Sequence, residues 1–154
     1  MSTAEWHCEH NVVGSVVTYL KQEGWTIESV ADTEARAHGA DIRAQKGGMT
    51  LIVEAKGYPL TVYARGDNQG KPKPTKPDVQ ARHWYSHVLF DAILRQSKYP
   101  TASIAIALPD FPVFTSLIAR TQFALCKLGI GVYLVRETGS VESIDVTTDI
   151  PRVR

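Results

Sequence analysis

Hydrophobic positions recur along this chain in two periods, and the switches between them mark out its elements. Trp6, Val12, Val13, Val16, Val17 and Leu20 repeat at three- and four-residue spacing and predict a helix over residues 4–23, stopped at Gly24. A short strand is expected over 25–30, followed by a polar stretch to residue 38. Residues 39–45 and 49–56 alternate apolar and polar side chains around Gly47-Gly48, which signals a hairpin with a two-residue turn. Residues 57–77 lose the periodicity and carry prolines and glycines, predicting a long loop with an extended piece at 60–63. Asp78 is then expected to N-cap a helix reaching about residue 97, with Tyr85, Val88, Leu89, Ala92 and Ile93 as its buried stripe. Residues 101–108 are continuously apolar, as in a strand covered on both faces. Pro112 opens a third helix that ends before Gly129 and turns Phe114, Leu117, Ile118, Leu125 and Leu128 to the core. Strands follow at 130–135 and, on an edge, at 141–146.

This order, α-β-β-β-α-β-α-β, predicts the α/β class: a mixed central sheet flanked by helices, in which an antiparallel hairpin leads into parallel strands joined by helical crossovers. With 154 residues and no dividing linker, one domain over 1–154 is expected. A hydrophobic share of 44% and a charged share of 21% are those of a globular chain. No run approaches the ~20 apolar residues of a membrane span. The acidic start MSTAEWHCEH lacks a secretory apolar core, and Cys8 and Cys126 read as free thiols. A cytoplasmic protein without membrane contact is therefore expected. The net charge of +1 gives no bulk attraction for a polyanion, but Lys71, Lys73 and Lys76 crowd one loop.

Pairing across Gly47-Gly48 sets Asp41 opposite Glu54, Ile42 opposite Val53 and Arg43 opposite Ile52. One face then carries Ala40, Ile42, Ala44, Leu51, Val53 and Ala55, and the other Asp41, Arg43, Ile52, Glu54 and Lys56. Two opposed carboxylates repel unless something positive intervenes. Lys56 is one candidate. A hard divalent ion is the other, since carboxylates and a backbone carbonyl suit Mg²⁺ or Mn²⁺ with water and phosphate completing the shell. Such an ion acidifies a bound water and neutralises charge on a phosphate, while a nearby ammonium orients the nucleophile. The plain alternative is a solvated strand face with an ordinary salt bridge.

The arrangement Gly39-Ala40-Asp41 on one strand and Glu54-Ala55-Lys56 on the next resembles the PD-(D/E)xK nuclease superfamily, with its restriction-endonuclease-like fold. The family's αβββαβ core matches the predicted order over roughly residues 5–136, with an αβ unit added. Ala40 stands where the family's name motif has proline. The resemblance implies hydrolysis of DNA phosphodiesters, with endonuclease action expected and products bearing 5′-phosphate and 3′-hydroxyl ends. It implies that Asp41, Glu54 and the Ala55 carbonyl hold Mg²⁺ or Mn²⁺ and that Lys56 positions the attacking water. In many members a first-helix glutamate approaches the metal, which points to Glu9, with Glu5 as competitor. RecB-type nucleases and phage exonucleases carry Q-x-x-x-Y in the second helix. Here Gln80 is followed by Trp84 at the tyrosine position and Tyr85 one place late, so Gln80 alone is carried over.

The loop after Lys56 contains Arg65, Lys71, Lys73 and Lys76, interleaved with Tyr58 and Tyr63. Its root lies beside the candidate site, so its cations are expected to contact phosphates and its aromatics to stack on bases, with prolines keeping it extended. The alternative is a loop whose lysines serve solubility. DNA is the expected partner, with RNA as the alternative, and a homodimer or an accessory recognition partner is expected for cutting both strands. The rival function is a catalytically inactive nucleic-acid-binding or regulatory protein of the same fold. His83 and His87 have half-zinc-site spacing but no third ligand pattern and are expected on an exposed helical face. His7 and His10 are expected at the surface.

Overall fold

A computed structural model describes residues 5–31 and 39–144. The elements are α1 (Glu9–Gln22), β1 (Thr26–Val30), β2 (Ile42–Lys46), β3 (Met49–Ala55), α2 (Pro77–Lys98), β4 (Ser103–Pro109), α3 (Pro112–Leu128), β5 (Ile130–Val135) and β6 (Val141–Ile144). The predicted order and class hold. Residue 4, most of the polar stretch before the hairpin and positions 145–146 lie outside the described residues.

The six strands lie side by side in chain order. β1, β2 and β3 pair antiparallel, β3, β4 and β5 run parallel, and β6 closes the far edge antiparallel to β5. Gly47 and Gly48 have φ of +56° and +78°. Two successive positive φ values are what a two-residue hairpin turn requires if its twist is to match that of the flanking strands. The turn fixes the register at Ile42–Val53, Arg43–Ile52 and Ala44–Leu51, as the alternation predicts.

Two cores sandwich the sheet. Val12, Val13, Val16 and Leu20 of α1 bury Ile42, Ala44, Leu51, Val53 and Ala55 on one face. On the other, Ile52 packs under Tyr85, Val88 and Ala92 of α2 and Phe114, Leu117, Ile118 and Leu125 of α3. The face expected to be polar is thus covered as well, and this encloses Glu54. Ala40, expected with Ile42 and Ala44, packs instead against the α2–α3 core, because it precedes β2 and escapes its alternation.

Three local expectations change. Trp6 does not belong to α1. The chain stays irregular up to Cys8, and Trp6 stacks on Phe111 at 5.4 Å. Asp78 is not the N-cap of α2: the cap is Lys76, two residues earlier, Pro77 is the first helical residue, and Asp78 accepts a 2.7 Å hydrogen bond from the Tyr58 hydroxyl. Proline suits that first turn because its missing N–H would have had no helical partner. Leu128, expected in the core, is exposed beside the Gly129 cap.

Candidate active site

Because β2 runs antiparallel to β3, the start of one and the end of the other meet at the same rim of the sheet. Asp41 lies immediately before β2 and Glu54 one residue before the end of β3. The Ala55 N–H donates to Asp41 Oδ2 at 2.7 Å, which fixes that carboxylate across the end of β3. The Asp41 carbonyl accepts from the Ala31 N–H at 2.9 Å, so backbone bonds hold the residue from both sides.

Glu54 is 5% exposed and is the one buried charged residue among those described. Its Oε1 accepts a 2.5 Å hydrogen bond from Arg95 Nε on α2. Burial pushes the Glu54 carboxyl up to about 7. The Arg95 hydrogen bond opposes that rise, and the adjacent Asp41 adds to it through its charge and a carboxyl–carboxylate hydrogen bond that favours the protonated form. The like-charge contact expected between Asp41 and Glu54 is therefore present, but the cation that meets it is Arg95 rather than Lys56.

Lys56 follows the last residue of β3 and departs from the strand's alternation. Its N–H donates to the Ala107 carbonyl at 3.1 Å, and its Nζ lies 3.1 Å from Glu9 Oε1 in the first turn of α1. Lys56 thus engages the helix on one face of the sheet, while Glu54 engages the helix on the other. Burial raises the Glu9 carboxyl above its ordinary range; Lys56 opposes this and Asp41 adds to it. Asp41 is thereby the link between the two halves, close enough to act on both Glu54 and Glu9. Glu5, the competing acid, is exposed.

Gly57 explains how Lys56 and Glu9 come within reach. A Cβ at position 57 would stand 2.6 Å from both the Glu9 nitrogen and the His7 oxygen. Only glycine lets the two backbones run this close, and the Tyr58 N–H then donates to the His7 carbonyl at 2.9 Å. An aromatic stack seals the junction: Tyr58 lies on Phe111 at 3.9 Å, and Phe111 on Trp6. His7 is half-buried, not at the surface. It meets Trp6, Tyr58 and Phe111 edge-on, and its Nδ1 lies 3.2 Å from the Tyr58 carbonyl. His10, His83 and His87 are exposed, as expected.

Gln80 is not brought to the acids. It sits in the opening turns of α2 with its Oε1 3.5 Å from Lys73 Nζ. Fifteen residues, about 22 Å of helix axis at 1.5 Å per residue, separate it from Arg95. The loop before it is not an extended arm. Bridges between Val62 and Pro72 and between Tyr63 and Gln69 fold it back on itself, with Lys73 over the Tyr63 ring at 5.9 Å. Arg65, Lys71 and Lys76 are exposed, while Lys73 is half-buried.

Among the described residues, no three His, Cys, Asp or Glu side chains stand close enough to hold a metal ion between them. Nor is any helix there long and apolar enough to cross a membrane. Cys8 and Cys126 are free thiols.

No protein-family model matches the sequence, and no curated protein matches it. Among solved structures, the fold is similar to that of an XisH family protein from Nostoc punctiforme PCC 73102, at 13% identity and a TM-score of 0.49, over 88% of this chain and 98% of that one. It is also similar to an fdxN element excision controlling factor protein from Anabaena variabilis, at 15% identity and a TM-score of 0.47, over 88% and 97% of the two chains. Neither likeness carries chemistry from those proteins to this chain.

Proposed function

We propose that this protein is a metal-dependent nuclease that hydrolyses DNA phosphodiesters at the rim formed by Asp41, Glu54 and Lys56. The observation that supports it most is the adjacency of two hard carboxylates, Asp41 and Glu54, at the ends of neighbouring strands, with Lys56, paired to Glu9, following the last residue of β3. Mg²⁺ needs no larger protein cage, since one or two carboxylates commonly suffice, with waters and substrate phosphates filling the shell. The donor set therefore fits Mg²⁺ or Mn²⁺, with the Ala55 carbonyl as a third oxygen. Such an ion, when bound, would acidify a water and neutralise charge developing on the phosphate.

The chain's own residues have separable tasks in this reading. The Ala55 N–H orients Asp41 and leaves that carboxylate's second oxygen for the ion. Lys56, steadied by Glu9, places an ammonium where it can hold the attacking water or the phosphate oxygen. Arg65, Lys71 and Lys76 hold the strand by its phosphates, a contact that weakens with salt. Gln80 acts with Lys73 at this loop instead of at the water, and a second copy or an accessory protein supplies whatever reach a duplex needs.

Plasmid and single-stranded DNA incubated with Mg²⁺ or Mn²⁺ test the reading, beside Asp41→Ala and Lys56→Ala. Cleavage lost in both variants is expected, and cleavage that survives both would sink it. RNA in the same assay separates the two polymers. One observation favours the inactive, nucleic-acid-binding rival: Arg95 already satisfies Glu54. Binding of DNA with no cleavage under any divalent ion would decide for that rival.

A further inference from the structure

Arg95 was not among the residues expected at the site, yet it makes the shortest charged contact there. Its side chain is 24% exposed, against 7% for Glu54, so the guanidinium bridges from the buried acid towards solvent. Helix side chains lean towards their own N-terminus, and α2 runs antiparallel to β3, so Arg95 leans towards the rim that carries Asp41. Among the described contacts only its Nε is engaged, leaving the terminal donors of the planar fork for another oxyanion. Asp91, one turn earlier on α2, adds a further negative charge near the guanidinium. A guanidinium with donors to spare suits a phosphate, which it can take in two parallel hydrogen bonds.

We infer that Arg95 is a substrate-phosphate-binding residue whose resting partner is Glu54, and that it exchanges this carboxylate for a phosphate when a divalent ion occupies Glu54. The inference rests on the metal-site reading above. The exchange moves no covalent bond and no proton: one carboxylate passes from a guanidinium to a metal, and the guanidinium passes to a phosphate. Competition for a single carboxylate makes ion and Arg95 antagonists in the free protein. Phosphate makes them allies in the complex, because linkage is reciprocal.

The test is Mn²⁺ affinity, measured by electron paramagnetic resonance on the intact protein, for wild type, Arg95→Met, Arg95→Lys and Asp41→Ala. Arg95→Met is expected to bind Mn²⁺ about tenfold more tightly than wild type and to bind a labelled oligonucleotide in Ca²⁺ about tenfold more weakly, with Arg95→Lys between them. Arg95→Met leaves a buried acid without its partner and can unfold. A second measurement therefore uses wild type alone: Mg²⁺ should move the Arg95 Nε–H resonance to the position of a solvated guanidinium. Equal or weaker Mn²⁺ binding in a folded Arg95→Met, or a resonance that Mg²⁺ leaves in place while Asp41-dependent Mn²⁺ binding is present, overturns the inference and spares the metal site. No Asp41-dependent Mn²⁺ binding in any variant overturns both.

Discussion

Glu54 makes the stability of the ion-free protein depend on pH in a direction opposite to that of most carboxylates. Its folded-state pKa is raised from 4.5 to about 7. Between those values the native protein holds a proton that the unfolded chain has released, so stability is fully present below pH 4.5 and falls as pH rises through 7. Two and a half pH units at 1.36 kcal/mol each give a loss of about 3 kcal/mol between pH 4.5 and pH 8. Glu9, also raised, adds to the loss with the same sign. For a chain of this length that corresponds to roughly 10 °C of melting temperature. Urea unfolding in chelator at half-unit pH steps measures it, with Glu54→Gln as the control that cannot release a proton. Wild type should lose stability across this window, and Glu54→Gln should lose much less. Adding Mg²⁺ should restore wild type most at the alkaline end, where the carboxylate is ionised. A flat wild-type profile, or an equal slope in Glu54→Gln, would refute the assignment of this burden to Glu54.

Asp41→Asn should keep most of the rim's structure yet lose cleavage, because an amide oxygen can still accept the Ala55 N–H but carries no charge; its melting temperature and its plasmid nicking rate separate the two effects. Asp41→Ala should lose that hydrogen bond too, at a cost of about 1–2 kcal/mol in urea unfolding. Gly57→Ala drives a methyl into the backbone of residues 7 and 9, so about 1–3 kcal/mol of destabilisation is expected, together with loss of the Lys56–Glu9 pair. Replacing Lys71 and Lys76 by Ala should leave the melting temperature within about 1 °C, since both are exposed, and should flatten the salt dependence of oligonucleotide binding by nearly one log unit per lysine removed. An unchanged salt slope would assign those lysines to solubility.

The hairpin was legible because two independent local signals agreed there. Alternation gave the faces, and Gly47-Gly48 gave the turn, so the positions of Asp41 and Glu54 followed without tertiary knowledge. Lys56 was misread because alternation was carried one residue past the strand, where the close pass of Gly57 redirects the chain towards α1. Arg95 was missed, although a signal for it existed. Tyr85, Val88 and Ala92 are buried at three- and four-residue steps, and the next step lands on Arg95. A cation on a buried stripe demands an acid, and Glu54 was the acid available. The Trp6–Phe111–Tyr58 stack had no such signal: its members come from three segments that only the folded chain brings together.

The rim can be read as a line of charges across the end of the sheet: Arg95, Glu54, Asp41, Glu9, Lys56. Each cation sits at an end, paired with the acid next to it, and Asp41 in the middle accepts the Ala55 N–H and is paired with no cation among the described residues. With Glu54 ionised, three acids against two bases leave one negative charge, centred on Asp41, which acts on the acid on either side of it. A protein that needed only stability could relieve this by an uncharged residue at position 41 or 54, since a buried ion pair is poor value against apolar packing of similar volume. The present arrangement makes sense if the middle of the line is meant to receive positive charge. On the proposed reading, a divalent ion held there would reverse the local sign to a net positive one, and the rim would then attract a phosphate. On this account metal and substrate are taken up in that order, and Asp41 is the residue whose removal should abolish both.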